Sequence, residues 1–164
     1  MAFSAQHTIA RTPGEVAEAL GSEDFHRSVI ESLGGSLVSF SREGDPTGAM
    51  TVTTVRTAPT DKVPEKARKF VGDKLRVEQV EVWSAPAEDG SRTAQITLTV
   101  PTAKVSSEVQ QTVEAQGEGT QITVEGSVNC RIPLVGGKLA QAAEPMVNKV
   151  LGKQAQGLSA WLSR

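Results

Sequence analysis

Few side chains in this sequence have the type and spacing that chemistry requires. There are two histidines, His7 and His26, and one cysteine, Cys130. His7 stands in an alternating stretch, Phe3, Ala5, His7 and Ile9 against Ser4, Gln6 and Thr8, so it is expected on the dry face of a strand. An imidazole there could act as a general base or hold a polar group of a ligand. The plainer reading is a core or rim histidine with one hydrogen bond. His26 stands two residues before polar Ser28 in a short helical pattern and is expected to be exposed. Two histidines so far apart, with no Cys/His spacing pattern, give no metal site. Cys130 falls on the apolar face of a strand with no flanking base, where a thiol behaves as a small hydrophobe. Gly117-x-Gly119 lacks the third glycine of a dinucleotide fingerprint and sits between strands, so it reads as a turn. With no phosphate loop, nucleophile elbow or carboxylate pair, no catalytic residue beyond weak candidate His7 and no cofactor is expected.

One segment stands out by charge. From Asp61 to Arg76 the chain carries Lys62, Lys66, Arg68, Lys69, Lys74 and Arg76 against Asp61, Glu65 and Asp73. Pro64 could open a short helix there, with Val63, Ala67, Phe70 and Val71 near one face. Two readings stand: a lid whose Lys62, Lys66, Arg68 and Lys69 touch anionic lipid headgroups, or a helical connection with its charges in water.

The elements that must position these residues follow from pattern. After the first strand, Thr12 is an N-cap, Pro13 fits the first helical position and Glu15 can complete a capping box. Val16, Ala19 and Leu20 give that helix its apolar side until Gly21. Ser22 caps a second helix, with Glu23 and Asp24 at its positive end and Phe25, Val29, Ile30 and Leu33 as its buried stripe before Gly34-Gly35. Six further strands are expected at 37–42, 49–57, 75–84, 92–100, 105–116 and 121–132, most pairs joined by turn residues such as Asp89-Gly90. Ile96 and Leu98, Val109, and Val124 and Val128 fall on apolar strand faces; Glu81 and Trp83 share a face of their strand, where Trp83 could be a large pocket wall or part of the core. The strand from Leu75 is irregular, because Leu75 and Val77 are out of phase with Val80 and Val82. A bulge at Glu78-Gln79 would restore the phase. From Pro133 to the end, Leu139, Ala143, Met146, Val147, Val150, Leu151, Leu158, Trp161 and Leu162 make a broad helical stripe.

About seven antiparallel strands, each with one polar face, therefore leave one dry side for a long helix to cover. That helix carries Pro145 inside it and Gly136, Gly137, Gly152 and Gly157 around it, which makes it a poor plug. An interior proline costs about 3 kcal/mol and a glycine about 1 kcal/mol relative to alanine. Either Pro145 kinks the helix off the sheet and the small residues leave ligand room, or Pro145 starts a second helix and the glycines permit close packing. Only 4% of residues are aromatic and none is Tyr, which makes a fully packed interior harder to build and favours the first alternative.

This order, with Thr12-Pro13-Gly14-Glu15-Val16 after the opening strand and Ile132-Pro133-Leu134-Val135-Gly136-Gly137 before a helix closing on Trp161-Leu162, resembles the START-like superfamily. The ending is similar to an actinobacterial branch of unknown function. The resemblance covers the whole chain and implies one domain over 1–164 with the α+β helix-grip fold: a curved antiparallel sheet, two short helices after strand 1 and a long C-terminal helix. It implies a hydrophobic cavity between sheet and helix and brings no catalytic motif. The expected walls are His7, Trp83, Ile96, Leu98, Val109, Val124 and Val128 from the sheet, and Met146 and Val150 from the helix. The expected occupant is an apolar small molecule or lipid. A cyclase- or hydrolase-like reaction in the same cavity and a structural role in a complex are the alternatives.

Composition bounds the rest. At 164 residues, 38% hydrophobic and 22% charged, the chain can bury a core. A net charge of −2 gives no footprint for nucleic acid. MAFSAQHTIA lacks the basic and apolar regions of a signal peptide, and no apolar run reaches the ~20 residues of a membrane span, so a cytoplasmic location is expected.

Overall fold

A computed structural model describes residues 2–61, 65, 68, 69, 74–132 and 136–163. Strand β1 (Ala2–Ile9) leads into helix α1 (Pro13–Leu20) through the capping box its sequence encodes. Thr12 Oγ1 accepts from the Glu15 amide at 3.2 Å, and Glu15 Oε1 accepts from the Thr12 amide at 3.3 Å. Helix α2 (Glu23–Ser32) begins at Ser22, whose Oγ accepts from the Phe25 amide at 3.4 Å. Gly34, at φ +83°, then turns the chain out of the helix, a conformation costly for any residue with a Cβ.

The strands follow as β2 (Ser36–Gly44), β3 (Met50–Pro59), β4 (Lys74–Trp83), β5 (Arg92–Val100), β6 (Val105–Gln116) and β7 (Gly119–Cys130). A 3-10 turn, Pro101–Ala103, joins β5 to β6. All seven form one curved antiparallel sheet in the order β1-β7-β6-β5-β4-β3-β2. The first two strands in sequence are thus the two edges, and α1 and α2 carry the chain from one to the other. Helix α3 (Gly136–Leu162) crosses the dry face, packing chiefly on β7 and β1 and against α2 and α1. Ile9, Leu20, Phe25, Trp83, Ile96, Ile122 and Leu158 are among the fully buried side chains, and Phe25 meets Trp161 edge to face at 6.0 Å.

Two expectations are corrected. Strand β4 has no bulge at Glu78-Gln79: it pairs with β3 in unbroken register, and Leu75, Val77, Gln79, Glu81 and Trp83 all point inward. The phase looks broken in sequence only because two inward residues are polar while Val80 and Val82 face out, Val82 being 51% exposed. The one irregularity along β2 and β3 falls at Leu37/Ser39. His26 is buried rather than exposed, its Nε2 lying 2.7 Å from the Leu20 carbonyl, one of the α1 carbonyls left without a helical partner. Of the two readings of Pro145, the less favoured one, a second helix starting there, is excluded, because α3 runs through it. Pro133, expected to open that helix, lies outside the described residues, as do Lys62, Val63, Pro64, Lys66, Ala67, Phe70 and Val71 of the basic segment.

Candidate functional site

The two halves of α3 meet the sheet differently. Leu151, Gln154, Ala155 and Leu158 are buried against the sheet and the short helices. One turn earlier Ala142, Ala143, Met146, Val147 and Val150 are apolar yet only half-buried. A helix face of that composition would be covered if the sheet followed it. Instead it roofs a cavity of about 1220 Å³.

The cavity's floor is set by β-strand periodicity. Leu75 and Val77 of β4, Leu98 and Val100 of β5 and Val105 of β6 share the inward face at one end of the sheet. Ile30 and Leu33 from the end of α2 form a side wall, beside Gly34 and Gly35. Polar groups enter at two levels. Asp61, Arg68, Lys69, Lys74 and Lys149 are exposed and mark the mouth. Arg56, 6% exposed, and Ser107, which donates to the Ser127 carbonyl at 2.7 Å, belong to the inner wall.

Arg56 heads a chain of buried polar side chains. Its Nη1 donates to Gln79 Oε1 at 2.9 Å, and Gln79 Nε2 donates to Glu81 Oε2 at 2.8 Å. Trp83 Nε1 donates to Glu81 Oε1 at 3.1 Å. The chain follows β4, where residues two apart share a face, and steps to β3, where Arg56 is the partner of Val77. Burial pushes the Arg56 guanidinium down to about 10, against the pull of the Glu81 carboxylate; at neutral pH it is still a cation. A buried cation and a fully buried Glu81 are costly groups to keep in a core, and here they end at a cavity wall.

The residues expected to line a pocket separate into two sets. Leu98, Met146 and Val150 border the cavity. Trp83, Ile96, Val109, Val124 and Val128 are 3% exposed or less and pack in the core beyond it. His7 is on β1, half-buried opposite Ile122, and is not among the cavity's walls. Its Nε2 is buried without a hydrogen-bond partner among the described residues. Cys130 Sγ lies 3.4 Å from the Ala103 carbonyl. Sequence reasoning missed Arg56 and Gln79. The available signal was the polar pair Gln79 and Glu81 in phase with Leu75, Val77 and Trp83.

Among the described residues, no helix is long and apolar enough to cross a membrane.

A curved seven-stranded antiparallel sheet gripping a long C-terminal helix, with two short helices after the first strand, is the helix-grip fold. The chain belongs to the family described as protein of unknown function (DUF2505), whose model matches residues 4–162. The fold is shared with the Zhui aromatase/cyclase from Streptomyces sp. R1128, at TM-score 0.65 and 11% identity over 100% of this chain and 94% of that one. It is shared with the protein TTHA0849 from Thermus thermophilus, at TM-score 0.62 and 16% identity over 98% and 95%. A START superfamily protein from Mycobacterium smegmatis gives TM-score 0.56 and 12% identity over 98% of both chains. At these identities the likeness is one of fold. No curated protein matches the chain in sequence.

Proposed function

We propose that this protein binds a hydrophobic small molecule or lipid in the cavity between the sheet and α3. The observation that carries the reading is the half-buried apolar stretch Ala142–Val150 lying over a floor of Leu75, Val77, Leu98, Val100 and Val105. The cavity's volume of about 1220 Å³ exceeds the roughly 300–1,000 Å³ usual for small-molecule sites, so a lipid chain or polycycle has room. Leu98, Met146 and Val150 are retained as ligand contacts. Trp83 and its core neighbours act one layer behind, by holding the floor rigid.

Binding is favoured over a cyclase- or hydrolase-like reaction because the one candidate base, His7, is not part of the cavity wall. We take the protein to be a single domain that works in the cytoplasm, as an actinobacterial carrier needing no cofactor. Arg68 and Lys69 at the mouth are the groups that would meet a membrane surface during loading; Lys62 and Lys66, expected to join them, lie outside the described residues. Organic extraction of natively purified protein followed by mass spectrometry tests the reading. A bound apolar species is expected. No such species, together with no thermal shift across a lipid panel, would overturn it.

A further inference from the structure

Most of the cavity wall is hydrocarbon, and a hydrocarbon guest would satisfy it. Arg56 is the buried, charged exception. A guanidinium carries five N–H donors. Among the described residues, Arg56 makes one hydrogen bond, from Nη1 to Gln79. It is 6% exposed and sits on the cavity wall, where water would be displaced by any guest that fills the space. A neutral apolar guest would leave those donors unpaired, which is unfavourable for any buried polar group and most for a charged one.

The partner that could have neutralised Arg56 does not touch it. Both oxygens of Glu81 are engaged, Oε2 by Gln79 and Oε1 by Trp83, and the Gln79 amide stands between the carboxylate and the guanidinium. A buried ion pair kept only for stability gains most from direct two-pronged contact. Here Gln79 relays the field of Glu81 and orients Arg56, while the fork itself has no carboxylate on it. Among the described residues, the exposed lining at the mouth comprises Arg68, Lys69, Lys74 and Lys149 with the acid Asp61, in a chain whose net charge is −2. Cationic lining is therefore concentrated at this opening, where it raises the local concentration of anions and their rate of entry.

Resting on the proposed cavity function, we infer that the ligand is an amphipathic acid whose anionic head pairs with Arg56 while its apolar body lies between Leu98 and Met146. A small polar anion would gain nothing from the hydrocarbon wall, and a neutral lipid would gain nothing from Arg56. The head is a carboxylate, as in a fatty acid, or a phosphate monoester, as in a single-chain phospholipid; both accept the same fork.

The test is fluorescence titration of the full chain with cis-parinaric acid and with its methyl ester, which share a tail and differ in charge. The acid is expected to bind roughly ten- to hundredfold more tightly, the range set by charge-assisted hydrogen bonds. Arg56→Met should bring the acid down to the level of the ester and leave ester binding intact, which also shows that the variant is folded. If it does not fold, the wild-type ratio still decides, and Arg56→Lys, which keeps the charge without the fork, should bind the acid more weakly than wild type. Replacing Lys69, Lys74 and Lys149 together with Gln should slow association at low salt and leave the acid-to-ester ratio unchanged. Displacement of the bound acid by palmitate or by lysophosphatidate identifies the head as carboxylate or phosphate. Equal affinity for acid and ester, or equal displacement by hexadecanol, would overturn the inference while leaving an apolar-ligand cavity in place. An acid preference that survives in a folded Arg56→Met protein would overturn it too. Binding of neither probe would remove both readings together.

Discussion

The two halves of α3 are built from similar residues and do different work. From Leu151 onward the helix is a packing element: Leu158 is fully buried, Ala155 is 4% exposed, and Trp161 reaches Phe25 of α2. Before Leu151, Ala142, Ala143, Met146, Val147 and Val150 are only half-buried, and among the described apolar side chains of that half Ala140 alone is buried. Hydrophobic pattern does not distinguish the halves. What distinguishes them is the other side of the interface. The second half packs with α1 and α2, Gly157 lying close to Val29 and Trp161 reaching Phe25. Under the first half a cavity of about 1220 Å³ opens over the inward residues of β4, β5 and β6. The difference teaches that an amphipathic stripe specifies a dry face and leaves open whether protein or ligand dries it.

The comparison breaks most readily at the largest side chains. Leu158→Ala should cost about 3–4 kcal/mol, as expected for a large-to-small change in a packed core, while Met146→Ala should cost under about 1 kcal/mol. Urea unfolding of both variants is the measurement, and equal losses would mean that the two halves are packed alike. Next comes the polar chain beneath them. Glu81→Leu removes the carboxylate on which Gln79 and Trp83 converge and leaves Arg56 buried without its compensating charge, at a cost of about 3 kcal/mol. Its unfolding midpoint should fall below that of Glu81→Gln, which also lacks the charge but keeps one oxygen to accept from Gln79 or Trp83.

Two glycines of α3 sharpen the contrast at smaller scale. A Cβ at Gly152 would meet nothing within 4 Å, so Gly152→Ala should stabilise by roughly 0.5–1 kcal/mol through the unfolded chain. A Cβ at Gly157 would come 2.9 Å from Val29 Cγ2, so Gly157→Ala should destabilise despite its better helix propensity. Thermal melts of the pair give the signs directly. Both glycines lie in the packed second half, so opposite signs separate the open face of that half from the face held against α2. The smallest effect belongs to the surface turns, which serve as a control insensitive to either half. The Thr47 amide and hydroxyl hold the Asp45 carboxyl below its usual 3.8, and the Ser91 amide and hydroxyl do the same for Asp89. A carboxyl with a lowered folded pKa adds stability above its unfolded pKa, and that stability is lost as pH falls through the folded value. Asp45→Asn and Asp89→Asn should therefore lower neutral-pH melting slightly, and by the same small amount flatten its decline below pH 3.8, where variants and wild type converge.

Much of the architecture is legible in the sequence because it is written in short-range rules. The capping box at Thr12 and Glu15, the cap at Ser22 and the turn glycines at 34, 90 and 117 involve residues within a few positions of each other. Alternation marks the bounds of β5 and β6 for the same reason, because side-chain direction in a strand is a property of the backbone. Legibility fails where a partner lies far off in sequence or in another element. His26 reads as exposed because the carbonyl it meets belongs to a different helix. Gln79 and Glu81 read as a lapse in phase because Arg56, which gives that polar run its sense, is on another strand.

The sequence by itself determined seven strands, two capped helices, a long amphipathic helix and the dry face between them, since each needs only local geometry and the period of apolar residues. Only the tertiary structure decided where that face is filled and where it is open. Of the nine residues expected around a pocket, it set Leu98, Met146 and Val150 at the cavity and packed most of the rest behind it. The reason is physical: packing is a matter of the distance between two surfaces. That distance depends on how the whole sheet curves away from a helix anchored at its other end, which no single stretch of sequence encodes.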